Sequence, residues 1–124
     1  MPLIHTCYRI TDIDRSVGFY ELLGFRELRR VPIREEAINV FMGMPDDGAR
    51  LELTFNVGRT EPYEIGTGYG HIAITTDNLD DMLAGLGAHG IEPERPPYSI
   101  REGGSRLCFV RDPDQYRIEI IERR

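Results

Sequence analysis

HTCYRITDIDRSVGFYELLGF, residues 5–25, and HIAITTDNLDDMLAGLGAHGI, residues 71–91, are two versions of one pattern. At a shift of 66 positions His5 falls on His71, Ile13 on Leu79, Asp14 on Asp80, Val17 on Leu83, Tyr20 on Leu86, Gly24 on Gly90 and Phe25 on Ile91. One position further on, at a shift of 67, Leu51-Glu52-Leu53 lands on Ile118-Glu119-Ile120. A repeat of this length sets the architecture before any single element is assigned.

Within each copy the elements follow from local chemistry. Leu3 to Ile10 and His71 to Thr76 are short and rich in Ile and Thr, which predicts strands. Asp12 and Asn78 supply capping oxygens for a following helix of about three turns, and Gly24 and Gly90 suit its left-handed stop. Three further strands are expected per copy: Phe25 to Val31, Ala37 to Met42 and Arg50 to Val57, then Ile91 to Arg95, Ser105 to Arg111 and Tyr116 to Ile121. Pro45-Asp46-Asp47-Gly48 and Asp112-Pro113-Asp114-Gln115 are turn chemistry, so the last two strands of each copy form a hairpin. The fold class is therefore α+β, with two tandem βαβββ modules in one domain. Module 1 covers about 1–57, a connector without periodicity about 58–68, and module 2 about 69–124.

Composition narrows the function classes. With 124 residues and 40% of them apolar, the chain has enough material for a core without disulfide or metal staples. Fifteen basic and twenty-one acidic residues give a net charge of −6, the wrong sign for a nucleic-acid binder. Every basic residue is Arg, a permanently charged forked donor suited to local capture of an anion. No apolar run approaches the roughly 20 residues that span a bilayer, so no membrane role is expected. Without a signal segment, and with Cys7 and Cys108 far apart, the thiols are expected reduced and the protein cytoplasmic.

Side chains on a strand alternate faces. His5, Cys7 and Arg9 therefore share one face, as do Glu52, Thr54 and Asn56, His71, Ala73 and Thr75, and Arg117, Glu119 and Ile121. Taken singly, each acid reads as a solvent-facing strand residue and each histidine as structural. The coincidence changes that reading: one His and one Glu recur in each module, 47 and 48 residues apart. Two imidazoles and two carboxylates converging on one point make a metal site. That ligand set contains no soft thiolate and leaves room for two waters on an octahedral ion, so Zn²⁺, Ni²⁺, Co²⁺ and Mn²⁺ all qualify. His89, at a helix end beside Gly90, is explained by the helix dipole and is left structural.

Leu3-Ile4-His5-Thr6, Leu51-Glu52-Leu53-Thr54-Phe55-Asn56, Tyr69-Gly70-His71-Ile72-Ala73, and Asp112-Pro113-Asp114 followed by Tyr116-Arg117-Ile118-Glu119 carry a family pattern along nearly the whole chain. The sequence resembles bacterial glyoxalase I, or lactoylglutathione lyase, of the vicinal oxygen chelate superfamily. The resemblance implies curved mixed sheets and one divalent metal per site bound by His5, Glu52, His71 and Glu119. It also implies a homodimer whose sites lie at the interface, His5 and Glu52 of one chain joining His71 and Glu119 of the other. The implied reaction isomerises the hemithioacetal of methylglyoxal and glutathione, or a related thiol, to S-D-lactoylglutathione. Glu119 is then the catalytic base with Glu52 facing the opposite side, and Arg9, Asn56 and Arg101 bind substrate. The short chain resembles the nickel- or cobalt-activated type, with zinc admitted. Gln115 departs from the family pattern, standing where Gly is usual in Asp-Pro-Asp-Gly-Tyr.

Other chemistries share this resemblance. Epimerases of the methylmalonyl-CoA type and thiol-transferring fosfomycin resistance proteins use three protein ligands, which leaves the second Glu unexplained. Antibiotic-sequestering relatives rely on aromatic stacking, and this chain has no Trp.

Overall fold

The computed structural model describes residues 1–123, so residue 124, the last of the expected second module, lies outside the described residues. The chain divides into two compact units, Met1–Glu64 and a second beginning at Ile65.

In the first unit β1 (Thr6–Ile10) leads into α1 (Ile13–Leu22), followed by β2 (Arg26–Ile33), β3 (Ala37–Gly43) and β4 (Leu51–Asn56). The four strands form one mixed sheet in the order β1-β4-β3-β2. β1 runs parallel to β4 while β3 is antiparallel to both β4 and β2. The second unit contains β5 (His71–Thr76), α2 (Leu79–Gly87), β6 (Leu107–Arg111) and β7 (Arg117–Glu122). Its three-stranded sheet has the order β5-β7-β6, again with a parallel first pair and an antiparallel second. In each unit the last two strands are paired as the expected hairpin.

Capping fixes where both helices begin and end. Asp12 Oδ1 accepts the Arg15 N–H at 2.9 Å, and Asn78 Oδ1 accepts the Asp81 N–H at 3.0 Å. At the other end Phe25 N–H reaches Tyr20 O and Ile91 N–H reaches Leu86 O, both at 3.0 Å, across glycines with φ of +102° (Gly24) and +77° (Gly90). A side chain at either glycine would sit in the left-handed region that L-residues avoid.

Alternation along the strands sends one face to the core. In the first unit Tyr8, Ile10, Val40, Met42, Leu51 and Leu53 are buried with Tyr20 and Leu23 of the helical segment. Tyr20 meets Phe19 and Phe25 edge-on at 5.0 and 5.5 Å. The second unit buries Leu79, Leu86, Cys108, Val110, Ile118 and Ile120 completely. Burial pushes the Cys108 thiol up to about 11, so it behaves as a small apolar residue; both cysteines are free, and Cys7 is exposed.

One expected strand does not form. Ile91–Arg95 is irregular, and the second sheet has three strands rather than four. Pro93 within this segment, and Pro96 and Pro97 directly after it, remove donors and fix φ, so it cannot sustain a ladder. What remains is broken pairing with β6: Glu94 N–H to Phe109 O at 2.8 Å and a single bridge between Tyr98 and Leu107. β1 is also shorter than expected, which leaves His5 one residue ahead of it.

The turn at Gln115 bears out the departure noted in the sequence. Gln115 has φ +76°, a left-handed conformation forced on a side chain. The buried Asp112 holds the turn together, its Oδ1 accepting the N–H groups of Asp114 and Tyr116 at 2.9 Å each.

Leu53 is fully buried at the centre of the first sheet. Leu53→Ala is expected to cost about 2–5 kcal/mol of unfolding free energy, measured by urea denaturation.

Candidate metal centre

Strand register brings each predicted His to its Glu. The parallel pairing of β1 with β4 sets Cys7 opposite Glu52, so His5, two residues before Cys7 on the same face, lies beside the carboxylate. His5 Nε2 is 3.0 Å from Glu52 Oε2. In the second unit β5 pairs with β7 so that Ala73 opposes Glu119, and His71 Nε2 is 3.0 Å from Glu119 Oε1. The two pairs match in exposure too, with side-chain values of 31% and 15% for His5 and Glu52 and 35% and 14% for His71 and Glu119.

A separation of 3.0 Å suits two ligands at right angles on one ion, since bonds of about 2.1 Å place such donors about 3.0 Å apart. Imidazole nitrogen with carboxylate oxygen is a donor set for borderline divalent ions. Each unit supplies two such donors. Among the described residues no group of three or more His, Cys, Asp or Glu gathers at one place.

Both imidazoles are braced by aromatic rings that the sequence reading missed. Phe41, the β3 partner of Glu52, meets the His5 ring edge-on at 5.9 Å. Phe109, the β6 partner of Glu119, meets His71 at 4.9 Å. An arginine covers each phenyl face, Arg29 over Phe41 at 4.1 Å and Arg117 over Phe109 at 4.0 Å. Extending the repeat by one more position, to a shift of 68, superposes Phe41 on Phe109 and was the available signal.

The surroundings of the two acids differ. Thr54 donates its hydroxyl to Glu52 Oε1 at 3.1 Å, lies 3.0 Å from Asn39 Oδ1, and meets Cys7 Sγ at 3.3 Å. Partial burial, with the negative Glu52 nearby, raises the Cys7 pKa despite the opposing Thr54 hydrogen bond, so its thiol stays neutral. At the position matching Thr54 the second unit has Ile121, and Glu119 has no such hydroxyl beside it on β7.

Of the three expected substrate contacts, Arg9 and Asn56 share the faces of His5 and Glu52 along β1 and β4, while Arg101 is in the second unit. Arg9 is exposed at the far end of β1, opposite Thr54. Asn56 donates to the Tyr63 hydroxyl at 3.0 Å. Arg101 borders a cleft of about 280 Å³ in the second unit, with Ile100, Leu107 and Ile121 among its walls.

The model of the Glyoxalase/Bleomycin resistance protein/Dioxygenase superfamily matches residues 3–120. A lactoylglutathione lyase of Haemophilus influenzae is 40% identical, covering 98% of this chain and 93% of that protein. A lactoylglutathione lyase of Arabidopsis thaliana is also 40% identical, but the chain spans only 44% of its length. Among solved structures, glyoxalase I of Zea mays superposes with a TM-score of 0.88 at 34% identity, covering 98% of this chain and 44% of that one. The trypanothione-dependent glyoxalase I of Leishmania major gives 0.81 at 35%, covering 98% and 86%. The chain therefore belongs to this superfamily and, within it, to the lactoylglutathione lyase, or glyoxalase I, group.

Arg117 is itself held by Glu94, at 2.9 and 2.8 Å, and Arg111 approaches the same carboxylate at 3.0 Å. These arginines, the Arg117 hydrogen bond foremost, hold the Glu94 carboxyl below its usual value of 4.5. A lowered carboxylate pKa stabilises the fold above the unfolded value, and the gain is lost as pH falls through the folded one. The stability gap between wild type and Glu94→Gln is thus expected to be full at pH 7 and to narrow only as pH falls below 4.5, in thermal melts run from neutral into acid pH.

Proposed function

We propose that this chain is a metal-dependent lactoylglutathione lyase, isomerising the hemithioacetal of methylglyoxal and glutathione to S-D-lactoylglutathione. The observation that carries the reading is the pair of His–Glu couples, each 3.0 Å apart and each at the same place in its strand register. His5, Glu52, His71 and Glu119 are the ligands in this reading. Two copies of the chain bring the couples together, the first couple of one meeting the second couple of the other. Ni²⁺ or Co²⁺ is the favoured ion, with Zn²⁺ admitted. The site is cytoplasmic.

When bound, the ion supplies Lewis-acid charge that lowers the cost of ionising carbon next to a carbonyl. The protein supplies the proton transfer. Glu119 takes the proton from C1 of the hemithioacetal and returns it to C2, a task that needs a carboxylate free to move. Glu52 is the fixed partner, since the Thr54 hydroxyl anchors its Oε1. Phe41 and Phe109 hold the imidazole planes, which preserves ligand direction through turnover. Arg9 and Asn56 receive the thiol arm of the substrate, and Arg101 offers a second cationic contact to its carboxylates.

Reconstituting metal-free protein separately with Ni²⁺, Co²⁺ and Zn²⁺, and assaying methylglyoxal with glutathione or trypanothione, tests the reading. Activity should return with one equivalent of ion per site. Glu119→Gln should lower kcat by about 10²–10⁴, the usual contribution of a positioned base. Near wild-type turnover in that variant removes the base assignment. Failure of every ion and thiol to support turnover removes the activity.

A further inference from the structure

The two modules present matched positions with opposite polarity next to their acids. In the first sheet the row containing the acid reads Phe41–Glu52–Cys7, and the next row on the same face reads Asn39–Thr54–Arg9. The corresponding rows of the second sheet are Phe109–Glu119–Ala73 and Leu107–Ile121–Thr75. The first unit thus has Cys7, Asn39 and Thr54 where the second has Ala73, Leu107 and Ile121. Thr75 and Arg9 are polar in both, but Leu107 and Ile121 make that part of the second unit's wall apolar, whereas Asn39 and Thr54 make the first unit's polar.

The polar wall has spare hydrogen-bonding capacity. Thr54 has one hydroxyl proton, within reach of both Glu52 Oε1 and Asn39 Oδ1. Asn39 is half-buried, and its amide nitrogen has no partner among the described residues. An apolar group laid against Asn39 would strip water from that nitrogen without replacing the lost bond, whereas a hydroxyl would accept from it.

Position decides which part of a substrate meets Asn39. Glu52 is on β4, flanked by β1 on one side and β3 on the other. The thiol arm is assigned to Arg9 on β1 and Asn56 at the end of β4, which leaves the β3 side of Glu52 to the substituent contributed by the aldehyde. We propose that Asn39, backed by Thr54, makes this site selective for hemithioacetals of 2-oxoaldehydes whose side chain bears a hydroxyl, over those with an apolar side chain. This selectivity rests on the isomerase reading above and adds the substrate class to it.

The test compares wild type, Asn39→Leu and Asn39→Ala, each checked for folding by far-UV circular dichroism. Leu is the residue at the matching position of the second unit. kcat/KM is measured at equal hemithioacetal concentration for 3-hydroxy-2-oxopropanal, methylglyoxal and phenylglyoxal with glutathione. A readout independent of turnover is the ratio of calorimetric dissociation constants for S-(3-hydroxypropyl)glutathione and its near-isostere S-butylglutathione. Both ratios should favour the hydroxylated compound in wild type and move toward the apolar one by about threefold to tenfold in Asn39→Leu, the range that one hydrogen bond supplies. Asn39→Ala should move them the same way and decides the matter if the leucine variant does not fold. Turnover of the hemithioacetals with ratios unchanged by the substitutions overturns the selectivity alone. No turnover of any hemithioacetal overturns the isomerase reading and the selectivity with it.

Discussion

The parallel register of the first strand against the last in each unit is the constraint on which the site depends. Cys7 opposite Glu52, and Ala73 opposite Glu119, put an acid beside a histidine two residues back along the neighbouring strand. A slip of one residue would turn the carboxylates into the core and Leu53 or Ile120 out to solvent. Such a slip is heavily penalised because both sheets bury one face: Leu51 and Leu53, like Ile118 and Ile120, are at most 1% exposed. Apolar burial therefore fixes where each histidine–acid pair stands, although no member of either pair is itself buried.

This dependence explains why the pairing of each histidine with its acid was legible in the sequence. The apolar-acid-apolar triplets record strand parity directly, and the repeat supplied the pairing of histidine with acid. Helix ends were legible for a similar reason, because Asp12, Asn78, Gly24 and Gly90 act through local backbone bonds. The strand expected over Ile91–Arg95 fails because Pro93, with Pro96 and Pro97 just beyond it, removes donors that a ladder needs. The aromatic braces were also missed. A phenylalanine in a strand reads as core; the shift of 68 marks Phe41 and Phe109 as a matched pair, and strand pairing sets them against the imidazoles. What sequence does not convey is the joining of the two couples, because that depends on how separate units or chains meet.

Duplication has left the backbone of the two sheets alike while their side chains diverged. The acid rows keep Glu and Phe in both units, with a His two residues back along the neighbouring strand, and the next rows differ, Leu107 and Ile121 in one and Asn39 and Thr54 in the other. Retention at the pairs and divergence beside them are what a common reaction core with separately adapted walls would leave. The additional hydroxyl bond that Glu52 receives, and that Glu119 lacks on β7, follows from the same divergence, since Thr54 and Ile121 occupy matching places.

The proline-broken segment alongside β6 also bears on how the protein behaves at high concentration. An uncovered outer strand offers a row of unsatisfied amides and carbonyls to any other polypeptide, and is a common starting point for intermolecular sheet growth. Here Glu94 and Tyr98 occupy part of that row, while Pro93, Pro96 and Pro97 cannot donate to an incoming strand. The failed fourth strand thus acts as a guard, shielding the margin of the second sheet against aggregation while giving no template for further pairing.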